Sequence, residues 1–149
     1  MTSYEAKRKN IGKWIHSYIN SEFRNLNRYG HLIRRHLNQN PADMMKRSAK
    51  EKENISSFYG REQDVLALVH QTLLDNAEEI ADWLADDTDR LPWVVYGSFI
   101  DDSVTGKIIM YSGKFNWDDG PVDCNEFVVA LSKIEHNNAF RIRSCYPIP

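Results

Sequence analysis

The chain has 149 residues, 42% of them apolar and 27% charged, with a formal net charge of −2. That is enough chain to bury one core without metals or disulfides as staples, and the composition excludes a disordered or low-complexity protein. There is no apolar run of about eighteen residues and no apolar stretch behind Met1, so neither a membrane-spanning helix nor a cleavable signal is expected.

The first element is read from Ile11 to Phe23. Ile11, Trp14, Ile15, Tyr18, Ile19 and Phe23 recur at helical spacing, which predicts an amphipathic helix with an aromatic core stripe and a solvated His16. Gly30 then marks a stop or turn. From His31 to Leu37, Leu32, Ile33 and Leu37 share a buried side, with His36 at its flank. Asn40-Pro41-Ala42-Asp43 supplies a cap, a proline for the first position and an acid for the first turn of a short helix. In that helix Met44 and Met45 face inward while Lys46 and Arg47 project, and Lys50 to Asn54 reads as a loop. Ser56 to Gly60 leads into one long helix from about Arg61 to Ala85, built on apolar residues from Val65 to Leu84 at three- and four-residue intervals. His70 within it reads as structural or solvated.

After Asp86-Asp87-Thr88-Asp89 the chain turns β-branched and aromatic, and strands are predicted at Trp93–Ile100, Lys107–Lys114, Glu126–Lys133 and Ala139–Tyr146. The joining signals are Asp101 to Gly106, Asp118 to Pro121, and His136 to Asn138. Helices followed by hairpin-linked strands predict an α+β fold with an antiparallel sheet, one face covered by the long helix. The expected organisation is a single domain over 1–149, with an N-terminal helix region at 1–28, helices carrying His36 and Arg47 at 29–85, and the sheet at 92–147. Cys124 and Cys145 lack metal-ligand spacing and are too few for a disulfide framework, which suits a reducing compartment.

The charge is unevenly placed. Residues 1–55 carry twelve basic and five acidic side chains, and residues 56–149 carry seven and sixteen. Either the basic segment focuses potential for an anionic ligand such as phosphate, or the two sets neutralise each other across the fold. No Gly-rich phosphate loop, paired-cysteine motif, H-E-x-x-H or G-x-S-x-G is present. What remains is histidine with arginine, concentrated between Tyr29 and Arg47. A histidine titrates near pH ~6.5 and can give or take a proton at neutral pH, while arginine is permanently charged and grips phosphate with paired hydrogen bonds. His36 and Arg47, eleven apart across the Asn40-Pro41 break, could meet in one cleft. In the last strand, Ile142, Ser144 and Tyr146 are expected on one face and Arg141, Arg143, Cys145 and Pro147 on the other.

Taken in order, Gly30-His31, Arg35-His36, Arg47, Ser57-Phe58, Asn76, Ile80-Ala81-Asp82-Trp83-Leu84 and Ser144-Cys145-Tyr146-Pro147 span about 115 residues. With these landmarks the chain resembles the bacterial ribonuclease A-like toxin domains at the C-termini of contact-dependent growth-inhibition and related polymorphic toxins. Two positions depart from the family pattern: Ser144 stands where threonine is usual, and Tyr29 where a glycine is usual before Gly30.

The resemblance implies a kidney-shaped fold without the disulfides of vertebrate ribonucleases. It implies metal-independent endonucleolytic cleavage of RNA by 2′-hydroxyl attack, with no cofactor. Carried over by position, His36 would be the general base or acid and Arg47 would stabilise phosphoryl charge. Ser144 and Tyr146 would bind the phosphate, with Tyr146 or His31 as candidates for the second proton transfer. RNA substrate and a cognate immunity protein are the implied partners, the free domain being monomeric. Delivery would be as part of a larger secreted or cell-surface effector acting in the cytoplasm of a target bacterium. The alternatives are a non-catalytic RNA- or protein-binding module on the same scaffold and, less favoured by the basic first third, an antitoxin-like acidic partner.

Overall fold

A computed structural model describes residues 2–24, 33–100, 102–111, 120–134 and 139–149. The first helix, α1, runs Ser3–Arg24, starting a full two turns before the apolar stripe does. Ile11, Ile15, Ile19 and Phe23, each four apart, form its buried face. Helix α2 spans Pro41–Glu51, strand β1 Ile55–Tyr59, helix α3 Glu62–Asp75 and helix α4 Ala77–Ala85. Strands β2 (Trp93–Ser98), β3 (Thr105–Ile109), β4 (Val122–Asp123), β5 (Glu126–Ile134) and β6 (Ala139–Ile148) complete the described elements.

The α+β architecture agrees with the sequence pattern, and four local expectations change. First, the long helix is two. Asn76 leaves the helical region (φ −108°, ψ 16°), and both Thr72 Oγ1 and Asn76 Nδ2 donate back to carbonyls four residues earlier, of Leu68 and Thr72, at 2.8 Å. Such side-chain bonds compete with the helical ladder and break it without disturbing the apolar period. Second, α2 continues through Glu51, where a loop from Lys50 was expected, and ends on Lys52 in the left-handed region (φ 57°). Third, Ile55–Tyr59 is a strand rather than a lead-in, although it holds two buried serines. Fourth, the strands form two three-stranded antiparallel sheets, β1-β3-β4 and β2-β5-β6, in place of one.

Glycines let the layers close. A Cβ on Gly97 would stand 2.2 Å from the ring of Phe127, its cross-strand partner, and one on Gly106 would stand 2.8 Å from Pro147. The first lets the tip of the Phe127 ring lie against β2, and the second brings β3 of one sheet against β6 of the other. The main core joins α1, α3 and α4 to the inner face of β2-β5-β6 through residues such as Ile15, Leu73, Ile80, Phe127, Leu131 and Phe140. Each such side chain contributes about 1.5–3 kcal/mol on burial. A small separate cluster, Met44, Met45, Ile55 and Ile109, fixes α2 to β1 and β3. The expected inward turn of both methionines is therefore found.

Part of the uneven charge is neutralised across the fold. Arg8 of α1 reaches Glu78 and Asp82 of α4, with Nε–Oδ1 at 2.6 Å to Asp82, and Lys7 pairs with Asp87. Arg34 meets Glu62 at 3.1 Å. Neutralisation thus accounts for Lys7 and Arg8 of α1 and for Arg34, while among the described residues Arg35 and Lys46, near His36, have no acidic partner. Cys124 and Cys145 are both free and buried, and burial pushes their thiols up to about 11 and about 12.

Candidate active site

His36 sits in the turn after Ile33 and Arg34, its N donating to Ile33 O at 2.8 Å, and the residues from it onward are pinned along β1. Its carbonyl accepts from Phe58 N at 2.6 Å, Asn38 N donates to Phe58 O at 2.7 Å, and Leu37 pairs with Phe58 as a parallel bridge. Gln39 N donates to Ser57 Oγ at 3.0 Å, which explains a hydroxyl at a wholly buried strand position. Asn38, with φ 49°, closes the clamp. Its amide donates to Gly60 O at 2.8 Å and its side-chain oxygen accepts from Gly60 N at 3.0 Å. Asparagine is among the few side chains that tolerate this backbone region, so residue type and position agree.

The imidazole is oriented by one more bond. His36 Nδ1 lies 3.1 Å from Ser56 O. A carbonyl can only accept, so Nδ1 carries the proton and Nε2 keeps its lone pair. Among the described residues no hydrogen bond engages Nε2. Burial lowers the His36 pKa from its ordinary value, the Ser56 carbonyl partly opposes that, and the cations of Arg47 and Arg35 lower it further. The ring is thus held neutral, in the tautomer that accepts at Nε2.

Arg47 comes from α2, whose start follows the sequence signal. Asn40 Oδ1 accepts from Ala42 N at 2.8 Å and Pro41 occupies the first turn. With Met44 and Met45 buried, Arg47 is carried to the His36 side, where its charge is felt by the imidazole. Its contact with Glu51 is long, 3.9 Å, and leaves the guanidinium available for an anion.

The third contribution is β6. Tyr146 places its ring 6.0 Å from that of His36, tilted by 43°. Ser144 lies two residues earlier on the same face, part-buried, opposite Ala130. The expected pairing of Ser144 with Tyr146 is found, but not the expected company. The register slips between Ala130 and Leu131, so that Ser144 opposes Ala130 while Ile142 opposes Leu131 and Arg143 is the extra residue of a β-bulge. Past the bulge the alternation inverts. Ile142 is buried with Cys145 and Pro147 in the interior, and Arg141 joins Ser144 and Tyr146 on the outer face. Among the described residues no hydrogen bond engages Ser144 Oγ or the Tyr146 hydroxyl, so both are open to a ligand.

His31, Gly30 and Tyr29 lie outside the described residues, as do the turns at 118–119 and 136–138. The residues that sequence reasoning missed are Asn38, Ser56 and Ser57, which hold the His36 segment. Ile55, Phe58 and Tyr59 between Asn54 and Gly60 were the available strand signal. A recess of about 570 Å³ lined by Lys7, Asp89, Arg90, Lys133 and Arg143 does not include His36, Arg47 or Tyr146. Lys133 there donates to Asp86 O and Asp89 O at 2.7 and 2.6 Å and lies 5.3 Å from the Trp83 ring centroid, so its ammonium is already engaged by the turn.

A family described as "Bacterial CdiA-CT RNAse A domain" matches residues 30–147. The chain is similar in structure to a chain of a crystallised CdiA-CT/CdiI complex from Y. kristensenii, with a TM-score of 0.64 and 18% identity, covering 80% of this chain and 99% of that one. No curated protein matches.

Proposed function

The chain belongs to the bacterial CdiA-CT RNase A domain family, and from that premise we propose that it is an endoribonuclease toxin whose site is assembled from His36, Arg47, Ser144 and Tyr146. The observation that carries the reading is the imidazole. Its Nδ1 is tied to Ser56 O, burial and the charges of Arg47 and Arg35 lower its pKa, and its ring lies 6.0 Å from that of Tyr146.

In the proposed reaction His36 Nε2 takes the proton of a ribose 2′-hydroxyl, and the freed oxygen forms a bond to the adjacent phosphorus. The bond from phosphorus to the 5′-oxygen breaks, leaving a 2′,3′-cyclic phosphate, and the departing oxygen takes a proton. Tyr146 or His31 is the candidate donor. A base with a lowered pKa is unprotonated at neutral pH, as this step requires. Arg47 is placed to stabilise the charge that grows on the non-bridging oxygens, and the Ser144 and Tyr146 hydroxyls to donate to them. The chemistry calls for neither metal nor cofactor. Ser144 retains the hydroxyl of the family's threonine, which is the part the phosphate needs.

The domain is proposed to be monomeric when free, to be delivered by a larger effector into a target bacterium, and to be silenced in its producer by a cognate immunity protein. The structural relative was itself crystallised as a CdiA-CT/CdiI complex. The test is to incubate the purified chain with total RNA in excess EDTA and to assay the fragments for cyclic phosphate ends. Fragments with such ends are expected. Intact RNA at high protein excess, or cutting only after a divalent metal is supplied, would overturn the reading.

A further inference from the structure

We propose that the outer face of the β2-β5-β6 sheet beside Tyr146 is the subsite for one nucleobase of the RNA, with Tyr96 as its stacking platform, an inference that rests on the ribonuclease reading above. The strand register builds the patch. Tyr96 opposes Val128, which opposes Tyr146, and in the next row Val94 opposes Ala130, which opposes Ser144. Strands lie about 4.8 Å apart and alternate residues about 7 Å apart, so these six residues cover roughly 10 by 7 Å. None is charged.

Tyr96 is 61% exposed, the most open tyrosine among the described residues, although it stands in the middle of a strand. Val94 beside it is 39% exposed. β2 is an edge strand of its sheet, and contiguous exposed apolar side chains there invite association or mark a ligand site. Two features select the ligand. The patch is continuous with the site through Tyr146, whose ring is 6.0 Å from His36. It is also bordered beyond Ser144 by the exposed Arg141, opposite Ser132, and by the bulge residue Arg143, with Glu126 one row beyond Tyr96 at the opposite limit. An uncharged surface about one base wide, formed by Tyr96, Val94 and Tyr146 around the buried Val128 and flanked by cations, matches a nucleotide. A stable protein partner takes about 800 Å² from each side, far more than these six residues offer. Stacking on an aromatic ring tolerates any base, so Tyr96 serves affinity rather than sequence choice.

The test uses the whole chain, a short RNA for cleavage and its 2′-deoxy copy, which lacks the attacking hydroxyl, for binding. Tyr96→Ala is expected to raise KM and weaken the deoxy copy about tenfold or more while kcat changes much less. Tyr96→Phe and Tyr96→Trp should keep both, and Tyr4→Ala, an exposed tyrosine on α1, should change neither. The proposal is overturned by unchanged KM and affinity in Tyr96→Ala, or by a loss in Tyr96→Phe as large as in Tyr96→Ala. It is equally overturned by a Tyr96→Ala defect confined to capture of an immunity protein. A wild-type chain that binds the deoxy copy through Tyr96 yet cuts no RNA would keep this subsite and remove the ribonuclease reading. One that neither binds nor cuts would remove both.

Discussion

His36 and His70 occupy two corners of the molecule that burial treats alike and that chemistry separates. Desolvation lowers both pKa values. In the α1–α3 corner the His70 ring lies flat on Phe23, centroids 4.7 Å apart and planes 4° apart, and its Nε2 is 2.8 Å from Asn20 Oδ1. That oxygen accepts, so the proton sits on Nε2 and the ring ties two helices together. In the other corner His36 gives its Nδ1 proton to a strand carbonyl, leaves Nε2 open and faces two arginine cations and a tyrosine. A lowered pKa therefore marks a neutral histidine in either place. Only the open nitrogen and the cations beside it make the neutral ring useful to a phosphodiester.

The largest expected effect is the loss of that distinction. His36→Ala should reduce RNA cleavage by about 10²–10⁴-fold, the usual weight of a general base, with little change in melting temperature. His70→Ala should leave cleavage within about threefold and lower stability by about 0.5–1.5 kcal/mol through the lost ring stack. Cleavage rates on a labelled RNA and thermal melts of both variants decide it, and an exchange of the two phenotypes would break the comparison.

Next comes Arg47→Ala, expected to cost about 10²–10³-fold in kcat, as for other lost oxyanion donors. It carries a second signature. Arg47 is one of the causes that lower the His36 pKa. Without it the ring protonates at higher pH, and the acid limb of the kcat/KM profile should move up. Arg47→Lys should restore the position of that limb more fully than the rate, because lysine keeps the charge and loses the paired donors. A limb that does not move in Arg47→Ala would separate the two residues.

A smaller effect covers both corners. Each histidine is harder to protonate folded than unfolded, so the unfolded chain binds more protons between the lowered folded pKa and about 6.5. Stability from this source is complete above about pH 6.5 and is lost as pH falls through the folded pKa values. Denaturant midpoints measured from pH 7.5 downward should decline in that window for the wild type. His70→Gln and His36→Gln should each flatten the decline, but only His36→Gln should also abolish cleavage.

The corners differ as well in how far the sequence reveals them. Asn40-Pro41 and the inward Met44 and Met45 are legible because capping and apolar period are local, and they deliver Arg47. The four main strand regions and the helix faces follow from periodicity for the same reason. Asn76 was not legible as a break, because Leu73, Ala77 and Ile80 keep helical spacing across it while two side-chain hydrogen bonds stop the ladder. β1 was obscured by Ser56 and Ser57: Ser57 makes sense once its Oγ holds Gln39 N, whereas Ser56 meets His36 through a backbone carbonyl that any residue would supply. The β6 bulge shifts every side chain after Arg143, and period-two reasoning has no means to see an extra residue. Ser144 and Tyr146 survive as a pair because both lie beyond it.

The smallest prediction asks how much the His36 corner depends on a single cap. Asn40 Oδ1 satisfies Ala42 N, a donor the helix cannot satisfy itself. Asn40→Ala should cost about 1 kcal/mol, lowering the melting temperature by about 2–4 °C for a domain of this size. The cap is not the only restraint on α2, since Met44 and Met45 are buried against Ile55 and Ile109, and Ser48 Oγ donates to Glu53 O at 2.7 Å. Arg47, two turns from the cap, should stay in place, and cleavage should fall by no more than about threefold. A loss as deep as that of Arg47→Ala, at an unchanged melting temperature, would show that Asn40 itself meets the RNA, and the corner would then extend to the first turn of α2.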